Sequence, residues 1–237
     1  MITDPLPDTS YMIESLVAGF RSPNTFGVVR DALYRADVAE NRLKCSLTHM
    51  VEFAVGGSPL AESPLHGWRH WLSVYRNAVV IAHFLKPPPN MLGRTLDLWV
   101  ALDFTLIAML FALFHDCRRH DEGEDMAHGA FGAAALMAYC QMNDCLMLEA
   151  HVALLACNMH TVIDRPAIYA PLKGLRLGEP EFSGLDVQAQ HAIGMCLDAD
   201  RMDLIRLRRL PDHRMLYFPE QTTLAFNHLY EQNAWSE

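Results

Sequence analysis

Paired cysteine motifs are missing from this sequence of 237 residues. Its six cysteines include no C-x-x-C pair, and secreted proteins held together by this many disulfide-forming cysteines are much shorter. The N-terminal segment also lacks the basic and apolar stretches of a secretory signal peptide. We therefore expect reduced, buried thiols and a cytoplasmic protein.

Basic residues are also scarce. The chain has 19 lysines and arginines against 28 aspartates and glutamates, which gives a net charge of −9 with histidine counted as neutral. Nucleic acids and anionic membranes are bound through basic surfaces, so we expect neither as the main partner. A small anionic substrate stays open, because a bound cation can reverse the local charge of a site.

Several familiar catalytic motifs are absent from the sequence. We find no GxxxxGK[ST], no GxGxxG after a strand, no GxSxG and no HExxH, so the usual nucleotide-binding loops, the nucleophile elbow and the zincin site lack support. The 13 methionines are scattered at helical spacing, which is typical of core packing rather than of a copper site.

One long apolar run extends from Leu96 to Phe114 and is nearly long enough to cross a membrane. However, Asp97 and Asp103 lie within it, and a carboxylate is costly in lipid. Neither an aromatic belt nor a basic flanking loop frames the run. It therefore predicts a helix that is buried on all sides at the centre of a helical bundle, without membrane association.

Alternating, strand-like patterns are scarce and helical periodicity dominates the chain. The sequence thus predicts an all-α, single-domain helical bundle over residues 27–210, with an N-terminal extension at 1–26 and a C-terminal tail at 211–237 that packs on it. A loop rich in proline and glycine is expected at 164–186. The predicted helices cover about 27–55, 65–85, 95–118, 125–142, 144–160 and 186–208, with a short last helix in the tail.

The adjacent residues His115 and Asp116 terminate the apolar run. A buried imidazole and a buried carboxylate both need partners, because desolvating either one alone is expensive. A divalent transition metal would satisfy both groups at once. A helix end that faces solvent explains the pair equally well, so the two interpretations stay open from these residues alone.

Three segments together resemble the HD superfamily of metal-dependent phosphohydrolases. That family has one histidine, a later His-Asp doublet and a distant aspartate. Here His70 stands in an H-x-x-x-V pattern with Val74, His115–Asp116 follows an apolar helix, and Asp200 lies in the sequence Ala-Asp-Arg-Met. The resemblance spans about residues 65–208 and has the three segments in the family's order.

The resemblance implies that His70, His115, Asp116 and Asp200 bind one divalent cation, which would be Mn, Fe, Zn, Ni or Co, between the helices of an all-α bundle. It also implies hydrolysis of a small phosphate ester or nucleotide by a metal-activated water. Some HD families bind a second ion through additional histidines.

For that second ion His160 is a candidate ligand. His128 is either a further ligand or the acid that protonates the leaving oxygen. The interval from Asp116 to His128 is short for the dinuclear subfamilies.

Two neighbours of the ligands have candidate roles in the pocket. His66 precedes His70 by four residues and is a candidate pocket residue, with metal binding as its alternative. Asp203 is a candidate for orienting a ligand histidine, whereas Asp198 is expected to point elsewhere on its helix.

Substrate contacts are expected from cationic side chains, because arginine binds phosphate in a bidentate manner. His120 is a second candidate acid–base residue, although it shares a face with the doublet only if that helix continues. The candidate arginines are Arg119 first, then Arg118, Arg69, Arg76 and Arg201.

Two alternatives belong to other functional classes. Myo-inositol oxygenase and its phosphonate-cleaving relatives use an HD-type scaffold with two irons and need extra histidines, which His128 and His160 would supply. A degenerate HD module would bind a nucleotide or metal without catalysis, but the complete set of four ligands disfavours this. A homodimer is an open alternative to the monomer, and no feature of the sequence identifies the substrate.

Overall fold

A computed structural model describes residues 9–21, 43, 45–85, 102–161, 183–207, 209 and 211–231. Over these residues the protein has eight α-helices and no strand, which confirms the predicted all-α fold. Two short 3-10 turns cover Asp203–Leu207 and His213–Met215. The helices are α1 (Ser10–Arg21), α2 (Leu47–Gly56), α3 (Trp68–Phe84), α4 (Phe104–Phe114), α5 (His128–Met142), α6 (Leu148–Met159), α7 (Ser183–Met202) and α8 (Pro219–Glu231).

Helix α4 forms the centre of the bundle. Every residue from Leu106 to Phe114 is buried, because α4 packs against α3, α6, α7, α5 and α2. This confirms that the apolar run forms a buried helix. None of the described helices combines the length and apolarity needed to cross a bilayer.

The predicted limits of this central helix, 95–118, are wrong at both described ends. The helix begins after Asp103, whose carboxylate accepts a hydrogen bond from the amide of Leu106 at 2.9 Å and so caps the helix instead of lying within it. It ends at Phe114, where the chain turns. Residues 95–101 lie outside the described part of the chain.

The prediction of one continuous helix over 27–55 is also wrong, because a new helix begins within that range. Ser46 caps α2 by accepting a hydrogen bond from the amide of His49 at 3.1 Å, so the helix begins at Leu47. It ends at Gly56, as the pair of glycines there predicts. Residues 22–42 and 44 lie outside the described residues.

Helices at both ends of the chain complete the core. Within the expected N-terminal extension, α1 buries Met12, Leu16 and Phe20 against α2 and α3, although no helix was predicted there. In the C-terminal tail, α8 buries Ala225 and Leu229 and packs on α3 and α7. The last helix of the tail is therefore longer than the short one expected.

The predicted loop at 164–186 ends earlier than expected, because α7 begins at Ser183. The rest of that loop, residues 164–182, lies outside the described residues. Helices α3, α5 and α6 otherwise lie where the periodicity places them, within a few residues at their ends. Helix α7 ends at Met202, earlier than the predicted end near 208, and is followed by the 3-10 turn Asp203–Leu207.

Two glycines bring α5 close to the ends of α4 and α6. A Cβ atom at Gly132 would overlap the carbonyl oxygens of Phe114 and His115. A Cβ at Gly129 would overlap the carbonyl oxygen of Cys157 and lie 3.0 Å from the ring of His160. Glycine is therefore required at both positions for this approach of the backbones, and the approach positions His128 at the start of α5.

Candidate metal centre

Six imidazole and carboxylate side chains converge at the middle of the bundle, each from the end or the face of a helix. All six are residues that the sequence placed in the site. They are His70 on α3, His115 and Asp116 directly after α4, His128 on α5, His160 directly after α6 and Asp200 on α7.

The first subsite consists of His70, His115, Asp200 and Oδ2 of Asp116. The Nε2 atoms of His70 and His115 are 3.0 Å apart. Nε2 of His70 lies 3.3 Å from Oδ1 of Asp200 and 3.5 Å from Oδ2 of Asp116. Nε2 of His115 lies 3.8 Å from each of the same two oxygens. Four ligand atoms from three helices therefore lie together, and three of them, from His70, His115 and Asp200, are within 4.8 Å of one another.

The second subsite consists of His128, His160 and Oδ1 of Asp116. The Nε2 atoms of the two histidines are 2.9 Å apart. Oδ1 of Asp116 lies 3.2 Å from Nε2 of His128 and 3.5 Å from Nε2 of His160. The carboxylate of Asp116 thus belongs to both subsites, with one oxygen in each.

A hydrogen bond at Nδ1, on the side of the ring away from the cluster, fixes the orientation of all four histidines. In each ring Nδ1 contacts an oxygen that only accepts hydrogen bonds, so Nδ1 carries the proton and Nε2 is left with its lone pair facing the centre. The acceptors are Oδ2 of Asp203 for His70, the carbonyls of Phe111 and Ala112 for His115, the carbonyl of Asp125 for His128 and the carbonyl of Cys157 for His160.

The centre is therefore rich in acceptors and poor in donors. With a single proton on each ring, at Nδ1, the Nε2 lone pairs face each other at 3.0 Å and 2.9 Å, next to two carboxylates. Oδ1 of Asp116 is buried, and none of the described residues donates a hydrogen bond to it. Buried acceptors in such an arrangement are stabilised by a cation, and histidine nitrogen with carboxylate oxygen is the donor set of divalent transition metals. The residues present fit a metal ion.

Protonation equilibria in the cluster indicate the same demand for positive charge. Burial on its own lowers the pKa of His70, but Asp200 and Asp203 outweigh it and raise the pKa to about 10. Burial lowers the pKa of His115 to about 4, and the adjacent His70 adds to the effect. Burial alone would raise the pKa of Asp116, but the surrounding histidines hold it well below its usual range. A proton on His70 thus partly replaces a cation.

Further polar residues support the first subsite from outside. Asp203 accepts from Nδ1 of His70 at 2.7 Å, as the sequence suggested for an orienting residue. Arg206 in turn donates from Nε to Asp203 at 3.1 Å and also binds the carbonyl oxygens of Pro64 and Leu65. It therefore ties the residue that orients His70 to the loop before α3.

His66 contacts the metal centre from that loop. Its Nδ1 lies 3.0 Å from Oδ2 of Asp116 and its Nε2 lies 3.6 Å from Oε2 of Glu122. Its ligand atom is close enough to those of His70 and Asp116 for it to be a further metal ligand. Its side chain, 23% exposed, also reaches the mouth of the site.

A cavity of about 160 Å³ opens over the two subsites. Its walls contain all the candidate ligands except His115, together with His66 and two of the candidate arginines, Arg119 and Arg201. Arg201 donates to the carbonyl oxygen of Met215 at 2.7 Å. Leu65, Leu204 and Leu207 supply an apolar side. The described cavity is therefore acidic and imidazole-lined at its floor and partly apolar at its rim.

The other candidates for substrate contact do not line this cavity. Arg118 donates to the carbonyl oxygens of Ala54 and Cys117 and lies over the ring of Phe53. Arg69 is exposed and stacks on its neighbour Trp68. Neither they nor Arg76 and His120 belong to the cavity wall. The ring of His120 lies against Phe131 instead, because the helix before it ends at Phe114.

Two residues near the site were missed from the sequence, Glu122 and Arg206. Arg206 is four residues from the end of α7 and Glu122 lies in the polar turn before α5. The three-residue spacing from Asp203 to Arg206 was a usable indication of an ion pair. Nothing in the sequence connects Glu122 with His66.

No protein-family model, curated protein or solved structure matches this chain.

Proposed function

We propose that this protein is a metal-dependent phosphohydrolase that acts on a small phosphate ester or nucleotide. The observation that carries the proposal is the fixed orientation of the four histidines. Each ring donates a hydrogen bond from Nδ1 to an acceptor of the protein, and its Nε2 faces the carboxylates of Asp116 and Asp200. The HD-type resemblance of the same residues supports phosphate chemistry.

We propose that two divalent cations would bind here, one held by His70, His115, Asp200 and Asp116 and the other by Asp116, His128 and His160. His128 then acts as a ligand rather than as the acid for the leaving group, because its Nε2 faces His160 and Asp116. Such ions lower the pKa of a bound water and polarise a phosphoryl oxygen.

The chain's own residues then bind and orient the substrate. The guanidinium of Arg119 lies beside the second subsite, with Nη1 at 3.2 Å from Nε2 of His128, and is the cation placed to pair with a phosphate oxygen. The apolar rim of Leu65, Leu204 and Leu207 contacts the uncharged part of the substrate. His66, in contact with both Asp116 and Glu122, would lie beside the substrate at the mouth of the cavity.

A second candidate function is that of an HD-type diiron oxygenase. The observation that favours it is the complete second subsite, since His128 and His160 are the extra histidines that such an enzyme needs. Arg119 favours an anionic substrate in either case. A non-catalytic metal-binding module is the third candidate, and the open cavity over the centre weighs against it.

Metal analysis of protein purified without chelator separates these functions. We expect Mn, Zn, Ni, Co or Fe to copurify and phosphate to be released from a generic aryl phosphate. Two irons per chain with a mixed-valent spectrum and no phosphate release would replace the hydrolase with the oxygenase. Asp116→Ala should lose metal and activity together, because it removes one oxygen from each subsite; retention of both would refute the centre.

A further inference from the structure

The two subsites have unequal electrostatic surroundings. The first subsite has two carboxylates, Asp116 and Asp200, and no guanidinium in contact with its ligand atoms among the described residues. The second subsite has one oxygen of Asp116 and lies against Arg119, whose Nη1 is 3.2 Å from Nε2 of His128 and 3.8 Å from Oδ1 of Asp116. A cation in the second subsite would therefore share two of its ligands with a positive side chain.

The charge of Arg119 is fixed in both position and protonation. Its side chain is buried, with 9% of the residue exposed. Nε donates to the carbonyl oxygen of Asp121 at 2.9 Å and Nη2 donates to that of Gly123. Arginine does not lose its proton in proteins. The guanidinium therefore stays beside His128, where it supplies part of the positive charge that the second subsite demands.

We propose that Arg119 makes the two subsites fill in order, with a first cation held tightly by the first subsite and a second held more weakly beside the guanidinium. The proposal rests on the metal centre proposed above and adds the order in which its two cations bind. An anion that pairs with Arg119 would offset its charge, so phosphate and the second cation should promote each other's binding.

Titration with Mn²⁺ tests the order of filling without relying on catalysis. Free Mn²⁺ is followed by its electron paramagnetic resonance signal, and heat by calorimetry, for the native protein and for Arg119→Met and Arg118→Met. The second variant is the matched control, since it removes the same charge from the neighbouring residue, which contacts Phe53 and Ala54 away from the cavity. Circular dichroism checks that both variants fold.

We expect one tight and one weak binding event in the native protein and in Arg118→Met. In Arg119→Met the second event should tighten by about tenfold or more, because a unit charge a few ångströms from a divalent ion is removed. Damage to the local structure would weaken the second event, so tightening reports the charge itself. An unchanged or weaker second event in a folded Arg119→Met overturns the proposal.

The native protein offers a second measurement that needs no variant. Adding inorganic phosphate should tighten the second Mn²⁺ event and leave the first unchanged, and this effect should be lost in Arg119→Met. No effect of phosphate on the second event would count against the proposal. Two events of equal affinity in the native protein would overturn the ordered filling alone, whereas no Mn²⁺ binding at all would refute the metal centre itself.

Discussion

Asp198 and Asp200 lie two residues apart on α7 and have opposite surroundings. The carboxylate of Asp198 is fully buried and accepts hydrogen bonds from the amides of Tyr217 and Phe218, at 2.6 and 2.7 Å, and from the hydroxyl of Thr222 at 3.0 Å. Oδ1 of Asp200 instead faces Nε2 atoms of two histidines.

The difference separates a structural carboxylate from one that could bind a metal ion. Residues two positions apart in an α-helix are rotated by about 200° around its axis. One side of α7 therefore anchors the tail before α8, and the other side completes the first subsite. The protein satisfies Asp198 with its own donors. It leaves Asp200 among acceptors, and a cation is the group that would complete it. Three predictions test this contrast and a fourth tests a histidine outside the cavity, from the largest expected effect to the smallest.

Asp200→Ala should reduce the affinity of the first subsite for metal by on the order of 100-fold or more, since losing even an outer partner of a ligand costs 10- to 100-fold. The proposed hydrolysis of an aryl phosphate should be lost with it, while the metal-free fold is retained. Elemental analysis, Mn²⁺ titration and urea unfolding measure the three properties. Unchanged metal content would show that Asp200 is not a ligand.

Asp198→Ala should do the reverse. It leaves two buried amides and one hydroxyl without an acceptor, which lowers the free energy of unfolding by about 2–3 kcal/mol. Chemical denaturation measures this, with Mn²⁺ stoichiometry as the internal control, because the metal centre keeps all its ligands. If the variant is as stable as the native protein, the tail is not anchored through this carboxylate.

The two aspartates should also have pH effects of opposite sign in metal-free protein. Burial raises the pKa of Asp198 to about 6, although the hydrogen bonds from the amides of Tyr217 and Phe218 act in the opposite direction. The contribution of Asp198 to stability is therefore fully present below pH 3.8 and is lost as the pH rises through about 6. The pKa of Asp200 is lowered by His70 although burial opposes this, so its contribution is present above pH 3.8 and is lost as the pH falls.

Urea midpoints between pH 3 and 7, measured with a chelator present, resolve the two effects. Between about pH 4 and 6 His115, whose pKa is lowered to about 4, contributes stability that rises with pH and so opposes the contribution of Asp198. Asp198→Asn should therefore make stability rise more steeply with pH in this range than in the native protein, and Asp200→Asn should weaken the dependence on pH below pH 4. The same slope between pH 4 and 6 in Asp198→Asn and in the native protein would contradict the assignment.

His120→Ala should have the smallest effect. Its ring contacts Phe131 and does not line the cavity, so we expect less than about a twofold change in hydrolysis and metal affinity, as for surface positions in general. Steady-state kinetics with an aryl phosphate measure this. A large fall in kcat would restore the catalytic role that the sequence suggested for His120.

The fold class and the central helix were predictable because their cause is local. An apolar run as continuous as that before His115 has to be buried wherever it lies, and the doublet at its end is carried into the core with it. The spacing to His70 and Asp200 was recognisable as a pattern. These residues do converge, and the buried groups that could hold a metal are confirmed.

The roles of neighbouring arginines were not predictable in the same way. Arg118 and Arg119 are adjacent, yet the turn after Phe114 directs one over Phe53 and the other to His128. That turn depends on the contact of α5 with α4, which involves residues distant in sequence. Sequence patterns report helical faces, and these two arginines lie on none.

The absence of a Cβ atom at Gly129 has a consequence for how such proteins are compared. Gly129 allows α5 to approach Cys157 and His160, so the distance between His128 and His160 depends on a residue with no side chain. On our proposal, Gly129→Ala would keep every ligand residue in the sequence, yet it would push His128 away from His160 and convert a two-ion centre into a one-ion centre. The number of ions in related chains should therefore be inferred from this glycine together with the ligands, because an intact set of ligands does not determine it.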